Sequence, residues 1–270
     1  MPNWQPIQKN KHQNAQWQAY QSYDFAKHDA TAPLLMAEIA SAIPFYPMAF
    51  VKTPQEQFQF VAVQSLQPQK NLFLTSQGKW RVPYVPSIYR GYPFKMLPSQ
   101  TGEHVLCVDQ DSALFYEKKA PSQHSNENTQ VQALFDEAGA LSAPMQKVVN
   151  FLQQCEKNRT ATQAAVDALD KAALITPWPI QAKVSDNEQK PIHGLYKIDQ
   201  SQLHALTGDT LHHLNQLGSL SIAHGQLLSM ARLKGLTQLY QMQQAEQKKS
   251  QPQEVDLEKL FGEEEDSLKF

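Results

Sequence analysis

Five aromatic rings and two guanidiniums crowd residues 80–94: Trp80, Tyr84, Tyr89, Tyr92 and Phe94, with Arg81 and Arg90 between them. Aromatic faces beside arginine can hold a peptide, a proline-rich strand or a planar ligand by stacking and cation–π contact. Pro83, Pro86 and Pro93 cannot donate to a ladder, so they mark strand ends or edges that can frame a groove. The plainer alternative is that these rings fill the core of a small sheet. Arg90 sits among apolar neighbours, where a guanidinium needs a carboxylate or carbonyl. Asp109 and Asp111 are the candidate partners. An Arg90–Asp109 pair would either brace the fold or hold a ligand carboxylate.

A second cluster lies in residues 251–270. Seven acids stand there against two bases, a net of −5, which leaves the rest of the chain near +3. Inside the acidic run, Val255, Leu257, Leu260 and Phe261 are apolar. An acidic segment with apolar anchors can fold onto a partner, and these four are the candidate docking residues. The alternative is a solvated tail.

Other chemistry leaves no local mark. His204, His212, His213 and His224 lack the His-x-x-x-His or Cys-x-x-Cys spacing of a metal site, so no metal is expected. No Gly-x-Gly, P-loop or Gly-x-Ser-x-Gly occurs, and no cofactor is expected. Cys107 lies in an apolar run, where a thiol is ordinarily inert, and His104 is a weak candidate base for it. Carboxylate pairs for glycoside chemistry are legible only in space.

The composition sets wider bounds. The chain has 270 residues, 41% hydrophobic and 19% charged, enough for a folded core. A net charge of −2 gives no electrostatic footprint for nucleic acid. Two cysteines are too few for a disulfide framework, which favours a reducing compartment. The longest run without Asp, Glu, Lys or Arg, Thr210 to Ala231, is too polar to span a membrane. The first 30 residues are rich in Gln and Asn and lack the apolar stretch of an export signal, so a cytoplasmic location is expected. Trp4, Trp17, Tyr20, Tyr23 and Phe25 are spaced through them, as in a flexible arm that lays aromatics on a domain surface.

The elements that must position these residues read as α+β. Strand candidates are 46–51, 58–63, 71–74, 80–86 and 104–109, with turns at Thr53–Glu56 and Ser76–Lys79. Residues 34–42 could be a short helix. Residues 118–130 read as a polar linker, and Phe135–Gly139 as a turn. A helical hairpin is expected next. Ser142 caps its first helix, and Thr160 with Gln163 makes a capping box for its second, which Pro177 and Pro179 stop. A short β-hairpin follows at 180–198. Then come a helix capped by Asp199, another starting at Thr207 and ending at Gly218, and a last one from Ser219 to about Gln247.

The order of these motifs resembles the SapC family of bacterial proteins. The resemblance runs from about Pro33 to Tyr240. It is carried by Tyr46-Pro47-Met48-Ala49-Phe50, Asn71-Leu72-Phe73-Leu74, Trp80, Tyr84-Val85-Pro86 and Arg90-Gly91-Tyr92-Pro93-Phe94. Cys107-Val108-Asp109, Leu134-Phe135-Asp136, Gly194 to Asp199, Leu203, Leu206, Leu214, Gly218-Ser219-Leu220 and Leu227 to Met230 extend the series. No single element is diagnostic, but the ordered series is specific. The resemblance implies no catalytic mechanism and no assigned residue. It implies accessory work linked to surface-layer or outer-membrane receptor systems, and companions at flavin-halogenase loci. A peptide-transporter permease that shares the name is a different, membrane-embedded protein.

The expected organisation is a flexible arm at 1–30, a single α+β domain at 31–246 and an acidic, largely disordered tail at 247–270. The β-rich N-terminal half would pack with a helical C-terminal half that contains the short β-hairpin. The expected function is a non-enzymatic accessory protein that binds a protein or peptide. An enzyme or small-molecule sensor with a pocket near Arg90 and Asp109 is the alternative, and a surface-layer subunit the third.

Overall fold

The computed structural model describes residues 2–99, 102–118, 131–185 and 188–250. The docking candidates Val255, Leu257, Leu260 and Phe261 therefore lie outside the described residues, as does most of the polar stretch 118–130. The fold is α+β: a β-rich first half packs against a helical second half, as the element pattern predicts.

The central sheet is antiparallel and has five strands: β10 (Ile175–Pro177), β13 (Tyr196–Ile198), β4 (Met48–Lys52), β5 (Phe58–Val63) and β3 (Thr31–Pro33), in that order. The β4–β5 hairpin sets its register, with Phe50 opposite Phe60 and Lys52 opposite Phe58. Met48, Ala49 and Phe50 are buried in succession, as expected of a strand covered on both faces. Pro33 and Pro177 fall on the two edge strands, where a missing N–H costs no ladder bond. At the join of β13 and β4 the helix α7 (Ser219–Ser229) supplies the missing partners. Gln226 accepts from Ile198 N at 3.0 Å and donates to Met48 O at 3.2 Å. Ser229 Oγ accepts from Met48 N at 2.9 Å. Gly225 lets this helix approach α2 (Ile39–Ala42), since a Cβ there would sit 2.7 Å from Ile39 Cγ2.

Two smaller sheets involve the N-terminal segment. β1 (Trp4–Pro6) pairs with β7 (His104–Asp109), which pairs with β6 (Phe94–Pro98). β2 (Gln16–Gln18) lies between β8 (Phe115–Tyr116) and β9 (Val131–Ala133). The first 30 residues, expected as a flexible arm, are thus strand-paired at two places. The reason is that their aromatics find partners: Trp17 is buried edge-on to Phe94, and Phe25 stacks on Tyr92. β6 was missed because Pro93 and Pro98 bracket it. The runs at 71–74 and 80–86, expected as strands, are turns and irregular chain joined by a single Leu74–Trp80 bridge and by Arg81 Nε donating to Leu74 O at 3.2 Å.

The expected helical hairpin is one continuous helix, α4 (Ala143–Lys171). No Gly or Pro interrupts residues 145–171, so the capping-box spacing at Thr160 had nothing to cap. Its 29 residues make a rod about 44 Å long at 1.5 Å per residue. Ser142 does cap its start, accepting from Met145 N. The rod serves two hydrophobic cores. Met145, Val149 and Leu152 pack with Trp17, Phe94 and Val108, whereas Ala165, Val166 and Leu169 pack under the central sheet.

The 180–198 stretch splits likewise. β11 (Ile180–Ser185) and β12 (Glu188–Ile192) form a hairpin, while β13 joins the central sheet. Asp199 caps α5 (Gln200–His204) through Ser201 N and Gln202 N. α6 (Gly208–Gln216) is followed by Gly218, whose φ of +75° gives the turn into α7. The last expected helix is interrupted by a 3-10 turn at Met230–Arg232 before α8 (Leu233–Ser250). Among the described residues no helix is long and apolar enough to cross a membrane.

Candidate functional site

The aromatic series at 80–94 is divided by the fold. Residues 80–86 are irregular, and α3 (Ser87–Arg90) turns the chain into β6. Trp80 donates to Tyr46 Oη at 2.6 Å and lies against Tyr23 and Tyr89. Tyr84 donates to Glu38 at 2.6 Å. Tyr89, Tyr92 and Phe94 instead line a cleft of about 730 Å³.

That cleft draws on members of both cores. The middle of α4 contributes Leu152, Cys155, Glu156, Arg159, Thr162 and Gln163. Leu34 and Phe60 come from the larger core, Phe94 and Met96 from the smaller. Trp4, Phe25 and the 40%-exposed Ile88 complete the apolar lining. The Phe25 and Tyr92 rings stack with centroids 4.0 Å apart.

Polar groups are set into these walls. Arg159 binds Glu156 through Nη2 at 2.5 Å, and His104 Nε2 lies 3.2 Å from the same carboxylate oxygen. Lys95 lies 5.9 Å from the Trp4 ring and makes no ion pair among the described residues. Burial pushes the Asp29 carboxyl above the ordinary 3.8, partly opposed by the nearby Tyr89 hydroxyl and by His28. The Cys155 thiol is also raised, chiefly by burial, which argues against a nucleophile. The Cys107 thiol is raised by the same cause.

The Asp29 shift has a consequence for pH. A carboxyl held above its unfolded value gives most to stability below about pH 3.8 and loses it as pH rises toward the folded value. Asp29→Asn should therefore raise the melting temperature at pH 7, and the gain should vanish by about pH 3. Paired thermal melts across that range check the sign.

The Arg90–Asp109 pair does not form. Asp109 accepts from Asn3 N at 2.9 Å and from Tyr92 Oη at 3.1 Å, so its carboxylate anchors β1 and one wall ring. Asp109 lines the cleft, but Arg90 does not. Arg90 is exposed and lies over Tyr84 and Phe151, 5.7 and 5.3 Å from their centroids. A guanidinium on two ring faces keeps its solvation and needs no carboxylate. The more enclosed arginine of the two is Arg81, partly buried, whose Nη1 and Nη2 grip Glu246 on α8 at 2.8 and 2.6 Å.

Behind the cleft lies a residue the sequence reading passed over. Glu38 is buried, and its carboxylate accepts four bonds: from Leu35 N, Ser87 N, Ser87 Oγ and Tyr84 Oη, at 2.6 to 2.9 Å. Leu35 and Ser87 both line the cleft, so one side chain fixes two lengths of its wall. The signal was present: Glu38 is the only charged residue between Asp29 and Lys52. Among the described residues no group of three or more His, Cys, Asp or Glu is placed to hold a metal ion.

The arrangement offers apolar walls with isolated charges of both signs, which suits binding. No curated protein and no solved structure matches the chain. The SapC family model matches residues 7–236, which take in both cores, α4 and all of the cleft lining but its first residues, Pro2 and Trp4; the chain belongs to the SapC family.

Proposed function

We propose that the chain is a non-enzymatic accessory protein that takes a peptide segment of a protein partner into the cleft between its cores. The observation that carries this reading is the lining itself: aromatic and aliphatic walls set with Lys95, Asp29 and the Arg159–Glu156 pair. Apolar walls accept side chains, while charges of both signs can meet main-chain carbonyls and amides. A volume of about 730 Å³ holds several side chains. The two unpaired cysteines support a cytoplasmic setting. Membership of the family supports a link to surface-layer or outer-membrane receptor systems.

The same volume also suits a small ligand, which keeps a metabolite sensor as the second reading. Ile88 separates a used cleft from an idle one, since it lines the cavity yet is exposed enough to change without opening the core. Ile88→Glu should leave the melting temperature within about 2 °C, as for a surface substitution. It should also weaken capture of the protein partner from lysate of the native cells at least tenfold. Unchanged capture would contradict the proposal. Stabilisation of the full chain by a metabolite panel, with no protein captured, would replace it by the sensor.

A further inference from the structure

β6 is the last strand of its sheet, with β7 on one side and no strand on the other among the described residues. Three hydrogen bonds fix which way its backbone points. Asp109 N donates to Pro93 O at 3.0 Å and Ser99 N to Glu103 O at 2.7 Å, so residues 93 and 99 face β7. Ile7 N donates to Leu106 O at 2.8 Å, so Leu106 faces away from β6. Bonded and non-bonded pairs alternate along an antiparallel ladder. Lys95 and Leu97 therefore bond inward to Cys107 and Val105, while Met96, opposite Leu106, turns its N–H and C=O outward. Neither backbone group of Met96 has a hydrogen-bond partner among the described residues, although the residue is buried. Such a pair is rare in a folded interior. Side chains of α4 serve other backbone groups beside the cleft. Gln163 Nε2 donates to Phe58 O at 2.9 Å, and Thr162 Oγ1 accepts from Met36 N at 2.8 Å. The cleft also touches both faces of β6: Phe94 and Met96 on the core face, and Lys95 on the other, beside the Trp4 ring. It does so by running along the strand's free edge.

We propose that the cleft takes its peptide as an added strand on β6, an extended segment of a partner protein in which apolar residues alternate with acidic ones. The proposal rests on the peptide reading of the cleft and specifies how the peptide is held. The segment's central residue exchanges two main-chain bonds with Met96, and its backbone lies about 4.8 Å away, the spacing of neighbouring strands. The side chains of that residue and of the residues two places to either side fall on the face of Phe94 and Met96. That face belongs to the smaller core, so these side chains are apolar. The residues between them stand opposite Lys95 and Leu97. Lys95 makes no ion pair among the described residues, so an acid opposite it completes a cross-strand pair. The five residues of β6 span about 13 Å at 3.3 Å per residue, room for a five-residue segment. Pro98, whose missing N–H falls on the outer side, ends the usable edge.

The probe is the capped peptide Val-Glu-Val-Glu-Val, titrated into the full chain. Its binding should slow exchange of the Met96 amide at least tenfold. N-methylation of the central Val removes the donor aimed at Met96 O and should weaken binding at least tenfold. N-methylation of a Glu, whose N–H points away from β6, should cost less than about threefold. Val-Lys-Val-Lys-Val should bind at least tenfold more weakly than the acidic peptide, and Lys95→Glu should reverse that preference. Equal affinity for the acidic peptide and its centrally methylated form, both lost in Ile88→Glu, would overturn the added strand and leave the peptide reading standing. No binding of the acidic peptide at about 1 mM would also overturn the added strand, while the effect of Ile88→Glu on partner capture judges the peptide reading separately. Protection of the Met96 amide that grows with protein concentration, before any peptide is added, would overturn it too, because a second copy would then hold the edge.

Discussion

Glu38→Ala should cost the fold about 4 kcal/mol, because it strands two buried backbone N–H groups worth about 1–3 kcal/mol each. The four donors converging on this carboxylate come from three places: Leu35, Tyr84 and Ser87. The two hydroxyls can turn to other acceptors, but Leu35 N and Ser87 N cannot. Glu38→Gln should lose about half as much, since a carboxamide oxygen keeps one pair of bonds while its NH2 meets donors. Urea unfolding of the three proteins measures the order Glu, Gln, Ala. The cleft should suffer with the fold, because the stranded residues belong to its wall. A Glu38→Ala protein as stable as the parent would show that the network does not hold these segments together.

Lys157→Pro should cost about 3 kcal/mol or more, and Lys157→Ala close to nothing. Lys157 is exposed in the middle of α4, so its side chain has little to lose. Proline there removes a backbone bond to Gln153 O and drives its ring into the same carbonyl. The effect should exceed that of a local break, because the rod carries residues of both cores and the cleft wall between them. A turn between two helices at this point would accept the proline. Circular dichroism with urea unfolding therefore separates a rod from a hairpin, and a loss below about 1 kcal/mol would favour the hairpin.

These two residues also show what could be read in the sequence. Short apolar runs bounded by turn residues located β4, β5 and β7, since local pattern and tertiary burial agree there. The caps at Ser142 and Asp199 and the helix boundaries at Thr207 and Gly218 were legible because they are local. The hairpin expectation at 145–173 failed because Thr160 and Gln163 carry capping chemistry without a chain break. Their side chains do other work: Thr160 Oγ1 bonds back to Glu156 O, and Gln163 donates to Phe58 O on β5.

The candidate site was legible only in part. Tyr89, Tyr92, Phe94 and Asp109 do line the cleft, and Trp80, Tyr84 and Arg90 do not. Nearness in sequence gathered them, whereas the turn at α3 sends the rings before it away from the cleft and those from Tyr89 onward into it. Asp29, Lys95 and Arg159 reach the cleft from three elements far apart in the chain, and no spacing rule joins them. Gln226 lay hidden in a glutamine-rich background, although its amide completes the central sheet. Glu38 alone had a readable signature, one acid in a long apolar stretch.

The central claim is that a protein partner's peptide enters the cleft, and a photo-crosslinker placed at position 88 of the full chain in its native cells tests it most directly. Leu211, exposed to the same 40% but on α6, is the matched control position. A defined protein joined at 88 and not at 211, through one short peptide, is the predicted result. No adduct at 88, or the same adducts from both positions, would contradict the account.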